Sequence, residues 1–335
     1  MYEGLPHHRR LYLHGQVGLA LERGSGTEMG TRAAELAYHF EQARQLDAGL
    51  TDKAITYLLQ ASQQALRQSA GQEAITYVRR GLDIVQALPK TAKSLQQEID
   101  LHIALALPTT VVHGYGSPEA RRVYEQARQL CQQHGDTQTL FTTLVGLARY
   151  YGLAGDLATA AELAEQLITS AGAALNTGWL VEACRVKGGA IFGQGRLREA
   201  RAVLERGLAV YDPAYHERHA YRFGHDPAVA ILNYLNLALW LLGYQAQAVA
   251  RVQQLERLAQ AMVQPTSQVI AQCMLAKSAC MRRDGEAALR FAQEGIRLSQ
   301  SYGLSLWNGL AHAFHGWALS DRGDCVKGQI GRAHV

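Results

Sequence analysis

The chain has 335 residues, 48% of them hydrophobic and 19% charged, enough to bury an extended core. Its formal net charge is +4, with acidic residues mixed among the basic ones throughout. The basic pairs Arg9–Arg10, Arg79–Arg80, Arg121–Arg122 and Arg282–Arg283 form no stripe with interleaved aromatics, which argues against direct nucleic-acid binding.

In chain order, Leu5, Leu11, Leu13, Val17 and Leu21 predict an amphipathic first helix, broken by Gly24, Gly26 and Gly30. A second helix is expected over Ala33–Leu46, with Asp47–Gly49 as its exit, and a third from Thr51 to about Gln68. The next runs from Gly71 to before Pro89. Helices are then expected over 91–107 and 117–134, separated by a loop from Pro108 to Gly116. No run of alternating β-branched residues proposes a sheet, so the fold class is all-α. The longest apolar stretch, Ala228–Gly243, has 16 residues and contains Asn233 and Asn236; it falls short of the roughly 20 that a membrane span needs and reads as a buried helix. The start of the chain lacks the charged-then-apolar layout of a signal peptide. Cys131, Cys184, Cys273, Cys280 and Cys325 form no CxxC pair and suit a reducing cytoplasm; Cys273 and Cys280 share a helix face as small buried residues.

From residue 120 a ladder of small residues takes over. Ala120, Ala160 and Ala200 are 40 apart, Ala248 follows after 48, and Ala288 and Gly328 after 40 each. Around the rungs one pattern recurs. Ala148, Tyr151, Gly155, Ala160, Ala164 and Leu167 hold the same offsets as Gly188, Ile191, Gly195, Ala200, Leu204 and Gly207, and Gly316, Leu319 and Gly323 repeat its beginning. The reading is helix, tight turn at the glycine, second helix, with small residues where two helices cross. Gly243 holds the turn position of the sixth repeat, whose crossing carries Asn236 instead of a small residue; the seventh carries Arg283 at its turn.

These offsets resemble the tetratricopeptide repeat, in a long variant of about 40 residues like that of bacterial signalling ATPases and MalT-like activators. The resemblance implies a right-handed α-solenoid of about seven helix pairs, a class of array that binds partners along a groove.

The 48-residue step places eight extra residues in the insertion 211–227. The segment Tyr211-Asp212-Pro213, His216, Gly224, Asp226-Pro227, Leu239 to Tyr244 and Ala248 resembles one found in large bacterial proteins that join a class III adenylate/guanylate cyclase domain, an AAA-type ATPase domain and a C-terminal tetratricopeptide region. Leu5-Pro6, Arg9-Arg10 and Leu13-His14 look like the helical segment closing that ATPase module. Ala37-Tyr38-His39-Phe40, with Ala48 to Thr51 and Ala54, look like the first repeat. The implied organisation is 1–30 as the end of an upstream ATPase module and 31–329 as the repeat array; 330–335, Ile-Gly-Arg-Ala-His-Val, resemble the translation of a common sequencing adapter and are expected to be a non-native tail. The last repeat is expected to leave Leu310, Phe314 and Trp317 without their natural cover.

There is no GxxxxGK[ST] phosphate loop; Gly193-Gln194-Gly195 is a repeat turn. No Ser–His–Asp or Cys–His arrangement stands out, so neither catalytic residues nor a cofactor are expected. His216, His219, His225 and Asp226 have ligand character, but they lack an evident fourth partner and stand among tyrosines and arginines; no metal is assigned. His312 and His315 share a face and read as packing or solvent-exposed residues. Tyr211, Tyr215, His216, Tyr221, Arg222 and His225 are the candidate contact residues, against the alternative that the rings fill a wedge opened by the insertion. The expected function is a non-catalytic interaction and sensing module of a cytoplasmic nucleotide-cyclase/ATPase signalling protein. Its partner would be a protein or peptide in the groove, upstream domains of the same parent, or a small effector, with neither nucleic acid nor membrane. The alternatives are the sensor region of a MalT-like activator and a stand-alone scaffold.

If Ala160 is a packing rung, Ala160→Leu overpacks a helix crossing and costs about 1–3 kcal/mol. Thermal unfolding checks this; an unchanged melting temperature removes Ala160 from the ladder.

Overall fold

The computed structural model describes residues 5–24, 32–68, 70–114, 116–134, 137–214 and 223–323. Among them every extended element is an α-helix. They are α1 (His7–Gly24), α2 (Ala33–Ala43), α3 (Ala48–Arg67), α4 (Gly71–Gln86), α5 (Ala92–His113), α6 (Pro118–His134), α7 (Thr137–Leu153), α8 (Leu157–Ala173), α9 (Thr177–Gly193), α10 (Leu197–Ala209), α11 (Pro227–Leu241), α12 (Gln245–Ala261), α13 (Pro265–Met281), α14 (Gly285–Ser301) and α15 (Ser305–Asp321). The chain divides into two compact units, 1–143 and 144–335.

In the first unit each helix packs on the next, from α1 through α6. The amphipathic first helix exists, but its buried face is not the one expected. Leu11, His14, Gly15 and Gly18 face inward, while Leu13 and Val17 are exposed. The physical reason is a close crossing: a Cβ on Gly18 would come within 2.9 Å of the Phe40 ring on α2. Two further ties hold α1. The Nδ1 atoms of His14 and His39 are 2.9 Å apart, and the Glu22 carboxylate accepts from Lys53 Nζ at 2.6 Å and from the Tyr57 hydroxyl at 2.7 Å.

Two expected boundaries move. Asp47–Gly49 is the entrance of α3 and not the exit of α2, because the Asp47 carboxylate accepts from Gly49 N at 3.0 Å and caps the helix. Pro108 lies inside α5 instead of opening a loop. Proline removes one backbone donor there. The helix continues, and the Thr109 and Thr110 hydroxyls each donate at 2.7 Å to the carbonyls of Leu105 and Ala106.

The second unit is a run of first and second helices. α9 pairs with α10, α11 with α12, α13 with α14; among first helices, α9 packs on α11, α11 on α13 and α13 on α15. The rungs Ala160, Ala200, Ala248 and Ala288, like Ala120 in the first unit, are at most 2% exposed. Tyr151 is only half-buried. The crossing of α9 and α10 shows why small residues are required. A Cβ on Gly188 would stand 2.3 Å from Leu204 Cδ2, and one on Gly207 would stand 2.6 Å from Cys184 Cβ. Where Asn236 replaces the small residue, its amide is folded back onto its own helix. It donates to the carbonyls of Leu232 and Asn233 at 3.2 and 2.8 Å and accepts from Ser278 Oγ of α13 at 3.1 Å. Leu310, Phe314 and Trp317 are half-buried and pack against the apolar cores around α13 to α15.

The turns that follow the first helices share one geometry. Gly155, Gly195, Gly243 and Gly323 have φ of +88°, +78°, +86° and +88°. At Gly195 the next amide, Arg196 N, bonds back to Ile191 O at 3.1 Å while Gly195 N bonds to Phe192 O at 2.9 Å. Arg283, without glycine, makes the same pair: its N bonds to Cys280 O at 3.1 Å and Asp284 N to Ala279 O at 3.0 Å, at φ +56°. Asp156 and Asp284 then cap the second helices of their repeats.

A side chain at φ +56° carries steric strain that glycine does not, so Arg283→Gly is expected to raise stability by about 0.5–1 kcal/mol. Gly188→Ala is expected to cost about 1–3 kcal/mol through overpacking on Leu204. Chemical denaturation of both variants measures the two signs together.

Candidate interaction site

The insertion is anchored at its two ends. Tyr211 follows the end of α10, and its hydroxyl donates to Asp226 Oδ2 at 2.8 Å. Asp226 is buried and opens α11 as its N-cap, with Oδ1 accepting from Ala228 N at 2.8 Å and Pro227 in the first helical position. Its own amide donates to Ser267 Oγ on α13 at 2.8 Å. Gln264 completes the cluster, accepting from Ser267 N at 3.1 Å and reaching Gly224 O through Nε2 at 3.4 Å. Burial first, and the Asp226 carboxylate second, push the Tyr211 phenol well above its usual range, so it stays a donor. Tyr211 also packs beside the apolar cluster of α9 to α12, and Phe223 is buried.

Of the other candidate contact residues, Tyr215, His216, Tyr221 and Arg222 lie outside the described residues, as does His219. His225 is described. Burial, then the charges of Arg185 and Arg149, push its imidazole well below the ordinary 6.5, so it is held neutral. Arg149 also donates to Phe223 O at 3.3 Å. Tyr211 and Asp226 are therefore brought together, and His225 is set beside two arginines. Among the described residues no group of three or more His, Cys, Asp or Glu side chains is placed to hold a metal ion.

The structure adds polar residues that were not singled out from the sequence. Glu182 and Arg185, one turn apart on α9, form an ion pair with side chains 1% and 8% exposed. Arg185 Nε donates to Glu182 Oε1 at 2.9 Å, whereas Glu182 Oε2 is buried with no partner. Asn233 Oδ1 on α11 is likewise buried and unpartnered. Lys277 on α13 is half-buried, and burial pushes its ammonium pKa down. One signal was available in the sequence. Glu182 and Arg185 interrupt the apolar run Trp179–Val186, and repeat register places Arg149, one residue after the small residue of its crossing, at the position Lys277 holds in its own repeat.

Successive helix pairs with small-residue crossings and left-handed turns define a tetratricopeptide-like helical-repeat protein, all-α among its described residues. No family model matches the chain. An uncharacterized protein of Rhizobium meliloti (strain 1021) is 24% identical over 334 residues, which cover 98% of this chain and 31% of that protein. The chain thus spans about a third of the length of the curated relative it matches. Among solved structures, a Rap protein complexed with competence and sporulation factor superposes with a TM-score of 0.63 at 9% identity, covering 96% of this chain and 95% of that one. NprR in complex with its cognate peptide NprX gives 0.57 at 12% identity, over 85% and 78% of the two chains. Aspartyl phosphate phosphatase F from Bacillus subtilis gives 0.54 at 12% identity, over 84% and 74%. At these identities the likeness is one of fold.

Tyr211→Phe removes one buried hydrogen bond and is expected to cost about 1 kcal/mol. The neutral His225 sets a pH dependence. The unfolded chain takes up a proton near 6.5 that the folded one refuses, so stability falls as pH drops below that value. His14, His39, His102 and His315 are shifted in the same direction, so His225→Gln is expected to flatten only part of the slope. Denaturation midpoints of both proteins at about pH 7.5 and 5.5 measure it.

Proposed function

We propose that the chain is a non-catalytic protein-interaction and sensing module of a cytoplasmic bacterial signalling protein that carries cyclase and ATPase domains. The observation that carries this reading is the layer of first helices, α9 on α11 on α13 on α15, with α9, α11 and α13 each backed by its second helix. Such a layer offers one continuous surface across several repeats, built for contact and not for chemistry. Two solved structures of this fold hold a peptide or factor, which supports a peptide or protein segment as the occupant. The much longer relative supports a module within a larger chain. The resemblance of 211–248 to the cyclase–ATPase proteins supports that parent in particular. The candidate contacts Tyr211, Tyr215, His216, Tyr221, Arg222 and His225 belong to this reading, with Tyr211 serving also as an anchor. Among the described residues no helix is long and apolar enough to cross a membrane.

The test uses the complete gene product. Cyclase and ATPase domains are expected upstream, and deleting residues 144–323 is expected to leave basal nucleotide turnover in place while abolishing its response to effector or partner. A gene product with no nucleotide-processing domain, or one whose regulation survives the deletion, overturns the assignment.

A further inference from the structure

Helix α1 commits little apolar surface to the helices it rests on. Its buried residues are Leu11, His14, Gly15 and Gly18, so Leu11 is the one large apolar side chain it buries fully. The glycines permit close approach: a Cβ on Gly15 would stand 3.5 Å from Ala43 Cβ and from Leu50 Cδ1. Two polar ties make up the rest, at different points along the helix. His14 meets His39 of α2 near the middle of α1, and Glu22 meets Lys53 and Tyr57 of α3 near its end. The spacing from residue 14 to residue 22 is about 12 Å along the axis.

The histidine tie has room for one proton. The two Nδ1 atoms are 2.9 Å apart, so one carries the hydrogen and the other accepts it. His14 is buried and His39 half-buried. Their ring centroids are 5.0 Å apart, and the Tyr38 ring stands edge-on to both, 5.4 Å from each. A second proton makes both Nδ1 atoms donors, facing each other with no acceptor between them, and sets two positive charges in contact.

The surrounding groups set the direction of the response. On α1 itself Arg10 stands one turn before His14. On α2 Tyr38 is beside the pair, and Glu35, one turn before His39, is the acid that favours its charged form. What α3 offers to α1 is Lys53 and Tyr57, both engaged by Glu22. Burial, and for His14 the facing His39 as well, push both imidazoles below the ordinary 6.5 despite Glu35. The tie is therefore complete at neutral pH and is lost as pH falls below that value. Burial pushes the Glu22 carboxyl up, but hydrogen bonds from Lys53 and Tyr57 outweigh it and hold the group below its ordinary 4.5. Glu22 thus stays charged, and its tie intact, across the range in which the histidines titrate.

We propose that His14 and His39 form a proton-operated latch: one shared proton fastens α1 to α2, and uptake of a second releases the N-terminal half of α1 while Glu22 keeps its C-terminal half tethered to α3. Release uncovers Leu11 on a helix whose Leu13 and Val17 are already exposed, so acidification enlarges an apolar surface there. The latch concerns the joint between α1 and α2 and holds whatever partner the array takes.

Hydrogen–deuterium exchange of the full chain at about pH 7.5 and 5.5, corrected for the intrinsic pH dependence of exchange, tests the latch. On acidification the opening of residues 7–14 is expected to rise about tenfold relative to α3 and α4, the effect of losing one hydrogen bond and gaining a repulsion. Residues 19–24 are expected to change less. His39→Gln keeps an amide that can bond His14 but takes up no proton, so the difference between the two pH values is expected to vanish. Nitrogen NMR of the parent's imidazoles gives a second readout: one Nδ1–H shared by the two rings at neutral pH, and coupled titration below 6.5. Exchange in α1 that follows α3 and α4 at both pH values, or a difference that survives His39→Gln, overturns the latch. Equal opening along the whole of α1 overturns the tether at Glu22. Two rings that titrate independently at the ordinary 6.5 also overturn the latch. Circular dichroism establishes that the variant is folded; if it is not, the parent's exchange and titration decide.

Discussion

Everything in the second unit depends on how closely two helices of a pair can approach. At the crossing of α9 and α10 no atom of a side chain fits at Gly188, because Leu204 fills the space where its Cβ would be, and Cys184 does the same at Gly207. The two glycines and their two partners interlock as a pair of reciprocal contacts. With the distance fixed this way, buried Ala200 can seat the second helix, and Ile191 and Leu204 can join one cluster with Ile231, Leu235 and Leu239 of the next repeat. Dispersion and apolar burial fall off steeply with separation, so a widened crossing loosens the neighbouring repeats as well. A repeat array has few long-range contacts to compensate, since each unit is held by the ones beside it.

The turn that returns the chain is a consequence of the helix ends, and glycine is only its cheapest occupant. Arg283 makes the point. It takes up the left-handed conformation and the same pair of closing hydrogen bonds as Gly195. Asp284 immediately after it caps α14. Local strain at one residue is therefore outweighed by two backbone bonds, one cap and the packing of two helices.

The insertion shows the reverse case, in which polar interactions hold an irregular segment against a regular array. Tyr211, Asp226, Ser267 and Gln264 come from the end of α10, the start of α11 and the start of α13, and they link three successive repeats through a buried network. Buried networks of this kind are stable only when their members are satisfied, and here the bonds close. A few helix turns away the polar groups are not closed: Glu182 and Asn233 each keep a bare acceptor. The contrast separates a closed structural cluster from buried acceptors that are left open.

The all-α class, the 40-residue ladder, the turn glycines and the Asp226–Pro227 helix start were legible in the sequence because each depends on local backbone geometry or on a spacing that repeats. The exposed face of α1, the entry cap at Asp47 and the passage of α5 through Pro108 were not. Which side of a short amphipathic helix is buried depends on what packs against it, here Phe40 on Gly18. Whether a proline ends a helix depends on whether the surrounding structure sustains it. The candidate site divides in the same way. Tyr211 and His225 stood out by their place in the insertion, but the partners that give them roles, Asp226, Ser267, Arg149 and Arg185, come from separate repeats. Repeat spacing alone thus determined what kind of molecule this is, since stacking reads only periodicity and residue size. Only the tertiary structure decided which polar side chains lie buried without partners, because that depends on which helices become neighbours in space.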